Sequence, residues 1–131
     1  MIKGTVKALR EAIICLTVAG RSGQEMEVEV VIDTGFNGHL TLAPGLIAIL
    51  NLPWRRRGNA LLADGSSSVF DVYEATIIWD GKRQRVPVDC VDCDPLAGMS
   101  LIQGYELLIQ VIKGGDVMIN PLPSELLARK A

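Results

Sequence analysis

The sequence predicts an all-β fold, mainly antiparallel, with one or two short helices. Two observations predict it. Short runs rich in β-branched and apolar residues recur along the chain, each bounded by turn residues. Asp80-Gly81 sits between two such runs and is a strong hairpin signal.

The elements follow in order. Glu11–Ala19 reads as a strand, Gly20-Arg21-Ser22-Gly23 as a turn and Gln24–Ile32 as the returning strand. Met26, Val28 and Val30 fall on one face and Glu25, Glu27 and Glu29 on the other, so one face meets water. His39–Leu42 resumes a strand. Pro44–Leu50 has room for one or two helical turns, with Pro44 near the first helical position. Asn59–Ala63 and Ser68–Trp79 flank the turn at Asp64-Gly65, and Lys82–Val91 pairs back across Asp80-Gly81. Met99–Gln103 is a short helix stopped by Gly104. Tyr105–Ile112 and Val117–Asn120 form a last hairpin about Gly114-Gly115. From Ser124 the tail has the makings of a short capped helix or a frayed end.

At 131 residues the chain has the length of one domain. Such a domain buries about two-thirds of its unfolded surface and needs no staple. A net charge of −2 gives no sign of a nucleic-acid partner, and Arg55-Arg56-Arg57 reads as a solvated loop. No run is long and apolar enough for a membrane-spanning helix. Met1-Ile2-Lys3-Gly4 lacks a signal-peptide pattern and the cysteine count is three, which together predict a cytoplasmic location.

The most informative residues are Asp33-Thr34-Gly35. They follow the apolar run Val28–Ile32 and lead into Phe36-Asn37-Gly38. An acid at the end of a buried strand, followed at once by a tight turn, is held where water and substrate can reach it. A bare Asp-Thr-Gly arises by chance in roughly a few per cent of chains this long, and ordinary strand-end turns are also rich in Asp and Gly. Two further landmarks follow in order: Leu61-Leu62-Ala63-Asp64-Gly65-Ser66-Ser67, with the look of a hairpin tip, and Pro95-Leu96-Ala97-Gly98-Met99-Ser100-Leu101-Ile102.

Together these landmarks resemble the retropepsin-like (retroviral-type) aspartic proteases, in their small bacterial single-domain branch. The resemblance covers roughly residues 11–120 of a single domain spanning 1–131, with a C-terminal tail at 121–131. It implies a closed acid-protease-like barrel and an aspartic endopeptidase without cofactor or metal. One Asp33 per chain then implies a homodimer, since the chemistry needs two carboxylates. The terminal segments, Asp33 loops and flap tips are expected to meet their symmetry mates. The resemblance makes Asp33 catalytic, with Thr34 and Gly35 supporting its loop. Phe36, Asn37, Ala63, Asp64 and Gly65 would contact a peptide or protein substrate, the last three from a mobile flap. Phe36 is bulkier than the small residue frequent in viral members, and Asn37 stands where relatives often carry an acid.

Other readings stay open. A non-catalytic dimeric peptide-binding β-domain of the same fold would capture an extended peptide by strand addition. Cys90-Val91-Asp92-Cys93, with Cys15 and His39, would make four metal ligands, but their spacing follows no finger pattern. His39 with the Ser66-Ser67-Ser68 hydroxyls lacks a nucleophile-elbow pattern. Asp92 and Asp94 lie near the Gly98 segment and are candidates to line the cleft, while Trp54 and Trp79 are expected to anchor packing.

Overall fold

The structure, a computed structural model, describes residues 1–130. Its elements run β1 (Ile2–Val6), β2 (Ala12–Ala19), β3 (Glu25–Ile32), β4 (Leu40–Leu42), α1 (Pro44–Leu50), β5 (Trp54–Leu61), β6 (Ser67–Trp79), β7 (Lys82–Cys90), β8 (Leu96–Ala97), α2 (Met99–Ile102), β9 (Tyr105–Ile109), β10 (Asp116–Pro121) and α3 (Ser124–Lys130). The strands form one sheet in the order β5-β6-β7-β4-β8-β3-β2-β1-β10-β9. A further pairing of β6 with β2, Val18 opposite Ile77 and Ala19 opposite Thr76, joins the sheet back on itself. The ring β2-β3-β8-β4-β7-β6 is therefore a closed barrel, with β5 outside on β6 and β1-β10-β9 outside on β2. Two junctions are parallel, β3 with β8 and β4 with β7, and the rest are antiparallel.

Alternation builds the barrel. Ile14, Leu16 and Val18 of β2 point inward and meet Val28 and Val30 of β3, Leu40 and Leu42 of β4, Ile77 of β6 and Val86 and Val88 of β7. Each buried aliphatic side chain contributes about 1.5–3 kcal/mol relative to exposure, and β-branching suits the pleated wall. The glutamates of β3 stay outside, as the alternation predicted. Helix α1 starts at Pro44, buries Ile47 and Leu50 against the barrel and ends at Asn51 in the left-handed region (φ 50°).

Four features differ from the sequence reading. The segment Ile2–Val6 is a strand: Lys3 and Gly4 break its apolar pattern, but pairing on both sides, with β2 and β10, holds it extended. Arg55, Arg56 and Arg57 lie in a strand rather than a loop. The backbones of Arg56 and Arg57 pair with β6, Arg55 sits at an irregularity between Trp54 and Arg56, and the Arg55 and Arg57 side chains reach Glu74 (3.3 Å) and Asp71 (3.9 Å). Trp54 is 55% exposed and donates its Nε1–H to Asp71 at 3.1 Å, so it is no core anchor. Trp79 is one, buried and edge-to-face with Tyr105 at 5.7 Å. Finally, β1 and β10 pair with each other inside the chain, Ile2 opposite Ile119 through Thr5 opposite Asp116, and each has a second in-chain neighbour. Both terminal strands thus have both flanks occupied within the chain.

Candidate active site

Asp33 is the first residue past β3. Its N–H donates to the carbonyl of Ala97 at 2.9 Å, so the strand end is still held when the chain turns. The turn closes on the acid itself: Gly35 N–H donates to Asp33 Oδ1 (2.9 Å) and Phe36 N–H to the Asp33 carbonyl (3.1 Å). The Asp33 side chain is half-buried, while Thr34 and Gly35 are exposed. A Cβ at Gly35 would stand 3.3 Å from Asp33 Oδ1, so glycine leaves the carboxylate face clear.

The loop is held from behind by the start of α2. Gly98 N–H donates to the His39 carbonyl (3.0 Å), Met99 N–H to that of Phe36 (2.8 Å) and Ser100 N–H to that of Gly38 (3.1 Å). The Ser100 hydroxyl donates to the Asn37 carbonyl. The first N–H groups of a helix have no partner within it, and here the carbonyls of Phe36, Gly38 and His39 take them up. Gly98 makes this contact possible: a Cβ there would lie 2.3 Å from the Gly38 carbonyl oxygen and 2.7 Å from that of Phe36. The role of Ser100 was not legible from the sequence, because its partner is a backbone atom 63 residues away.

Beside this loop lies a mostly apolar cavity of about 480 Å³. Phe36 forms one wall, the β5–β6 hairpin supplies Ala60, Leu62, Val69 and Phe70, and the β7–β8 connection supplies Cys90, Asp92, Cys93 and Leu96. Of the residues expected to contact substrate, Phe36 lines this cavity. Asn37 is exposed and engaged through its carbonyl, while Ala63, Asp64 and Gly65 are exposed at the hairpin tip, outside the lining. Asp92 is in the lining. Asp94 faces a different hollow, beside Lys7 and Pro95. Leu62 stood in the hairpin-tip landmark without a substrate role, and Val69 and Phe70 were not singled out from the sequence. The available signal was an apolar residue on each arm of a hairpin with little else to cover it: Leu61 is 80% and Val69 60% exposed.

The hairpin tip is a closed turn. Leu62 N–H donates to the Ser66 carbonyl (2.8 Å), and Asp64 Oδ1 accepts from Ser66 N–H (2.9 Å) and Ser66 Oγ–H (2.5 Å). The Ser66 hydroxyl, then its N–H, hold the Asp64 carboxyl below the usual carboxylate range. Gly65 has φ +87°.

Asp89 and Cys90 of the lining are titratable, and His39, outside the lining, interacts with Asp89. Burial pushes the Asp89 carboxyl up, against the opposing pull of Arg56 and His39. Burial lowers His39, which Asp89 partly offsets. Burial, then Asp71 and Asp92, push the Cys90 thiol up. The Cys93 sulfur lies 3.9 Å from the Thr41 hydroxyl, whose oxygen accepts from Leu96 N–H at 2.9 Å. Cys15 stands apart on the outer face of β2 and donates to Glu27 at 3.0 Å. Among the described residues no three His, Cys, Asp or Glu side chains converge as a metal-binding group, so Cys15, His39, Cys90 and Cys93 do not form one.

Neither a family model nor a curated protein matches the sequence. Among solved structures, the EIAV protease complexed with the inhibitor HBY-793 is similar to this chain, with a TM-score of 0.50 and 15% identity, covering 73% of this chain and 88% of that one. Identity that low speaks to architecture alone. The chain has the fold of a retroviral-type protease.

Proposed function

We propose that the protein is an aspartic endopeptidase that works as a homodimer, with one Asp33 from each subunit forming a shared dyad. The observation that carries this reading is the Asp33-Thr34-Gly35 loop. It ends a barrel strand, is braced by α2 and adjoins, through Phe36, an apolar cavity under a hairpin. The fold shared with an inhibitor-bound protease supports it.

In this reading two carboxylates at short range share one proton, because two like charges so close resist joint ionisation. The ionised member takes a proton from water, whose oxygen attacks the peptide carbonyl. The protonated member polarises that carbonyl and then gives its proton to the leaving nitrogen as the C–N bond breaks. Thr34 braces the paired loops and Gly35 lets the substrate backbone approach. Phe36 receives a substrate side chain, and Asn37 borders the cleft. Ala63, Asp64 and Gly65 form the tip of a flap that closes over the peptide. No cofactor takes part, and the setting is cytoplasmic. A second reading, peptide capture without cleavage, is favoured by the exposed apolar arms of the β5–β6 hairpin, Leu61 and Val69.

Asp33→Asn separates the two. It nearly preserves volume and cannot ionise. Cleavage of a mixed peptide library should fall by several orders of magnitude, with dimer content unchanged, since no base is left to activate water. Equal cleavage by both proteins excludes the aspartic mechanism. Cleavage by neither, with peptide still retained, establishes the binding module.

A further inference from the structure

We infer that the two subunits join along β9, strand to strand and antiparallel, about a two-fold axis at Leu107. This rests on the homodimer reading above and adds to it the surface through which the dimer forms.

Among the described residues the sheet has two open edges outside the barrel ring, β5 and β9. The edges differ in kind. β5 carries Arg55, Arg56 and Arg57 in succession and a register irregularity at Trp54/Arg56. Consecutive like charges and a bulge are the usual means by which an edge strand is kept from pairing. β9 reads Tyr105-Glu106-Leu107-Leu108-Ile109, with one charge and no irregularity. It is an edge without protection.

The pattern of bonds on its inner side fixes what it offers outside. Gln110 N–H donates to the Asp116 carbonyl, and Leu122 N–H to the Gly104 carbonyl. Residues of an antiparallel strand alternate between facing the neighbour and facing away. With the register Leu107 opposite Ile119, the even-numbered residues bond to β10. The N–H and C=O groups of Tyr105, Leu107 and Ile109 therefore point to the open edge. A second β9 laid antiparallel about Leu107 sets Leu107 against the partner's Leu107 and Tyr105 against the partner's Ile109. About six ladder hydrogen bonds then form. Glu106 falls opposite the partner's Leu108, so no like charges stand directly opposed.

The same edge borders the candidate site. A groove of about 370 Å³ runs between Thr34, Met99 and Ile102 on one side and Tyr105 and Leu107 on the other. Its walls are mostly apolar, and Met99 is 46% exposed. The partner's Ile109, placed beside Tyr105 on that face, is the apolar side chain that this groove fits. A seam along β1 or β10 is closed to this chain, because both strands already have both neighbours in-chain. A site with one Asp33 per chain is incomplete until a second copy docks, and this edge lies next to Thr34.

Amide hydrogen exchange followed by NMR, at a concentration where sedimentation shows dimer, tests the seam. The Tyr105, Leu107 and Ile109 amides should exchange at least tenfold more slowly than on dilution to monomer. Dimer with these three amides exchanging as fast as in the monomer overturns the seam and leaves the homodimer reading standing. Monomer at every concentration overturns both.

Discussion

At Gly98 there is no room for a side chain. A methyl group there meets the carbonyl oxygens of Gly38 and Phe36 well inside contact distance, and both are backbone atoms that α2 holds in place. Gly98→Ala should therefore destabilise the fold by about 1–3 kcal/mol, the range of a forced overpacking. This is read as a lower urea midpoint at unchanged slope. A midpoint equal to wild type would mean that the loop and α2 are not coupled. Asp89 gives a pH prediction of definite sign. Its folded-state carboxyl lies above the ordinary value of 3.8, chiefly through burial. The folded state therefore holds this proton more tightly than the unfolded one. The stability it contributes is complete below that ordinary value and is lost as pH rises through the folded value. Asp89→Asn has no such proton to lose. Its urea midpoint should decline less than that of wild type as pH is raised from about 4, and parallel declines would contradict this. Asp33 and its turn could be read from the sequence because an acid, a small hydroxyl residue and a glycine after a β-branched run describe a local conformation. The contacts of Ser100 and Gly98 could not, because they join residues distant along the chain.

At the scale of elements, strands with a strict period of two and hairpins with a marked turn were legible. β2, β3, β6 and β7 fall within a residue or so of their predicted limits. β1 and the start of β5 were not, because neither strand owes its conformation to its own residues. Lys3 and Gly4 lie extended since β2 and β10 flank them, and Arg55–Arg57 since β6 does. The β5–β6 hairpin is the element whose motion the proposed mechanism needs. Its tip turns at Gly65 with φ +87°, where a β-branched residue is strained. Gly65→Val should slow peptide turnover several-fold while leaving dimer content intact, because a strained tip neither closes nor opens as readily. Unchanged steady-state turnover would show that residues 61–67 are not a working flap.

For the whole molecule, the closed barrel sets one carboxylate at the end of β3, and the proposed mechanism takes its second from another copy. The sequence showed the barrel's strands apart from β8, but not their order. That order depends on parallel junctions of β8 with β3 and β7 with β4, which no local pattern encodes. One Asp-Thr-Gly per chain was legible as well, but not that the terminal strands are paired on both sides within the chain. The dyad is the claim on which the proposed function stands, and the distance between the two Asp33 carboxylates in a crystal of the dimer tests it most directly. A shared dyad holds their nearest oxygens within hydrogen-bond reach, about 2.5–3.0 Å, across a two-fold axis. A dimer that holds the two carboxylates apart, each facing its own solvent, would contradict it.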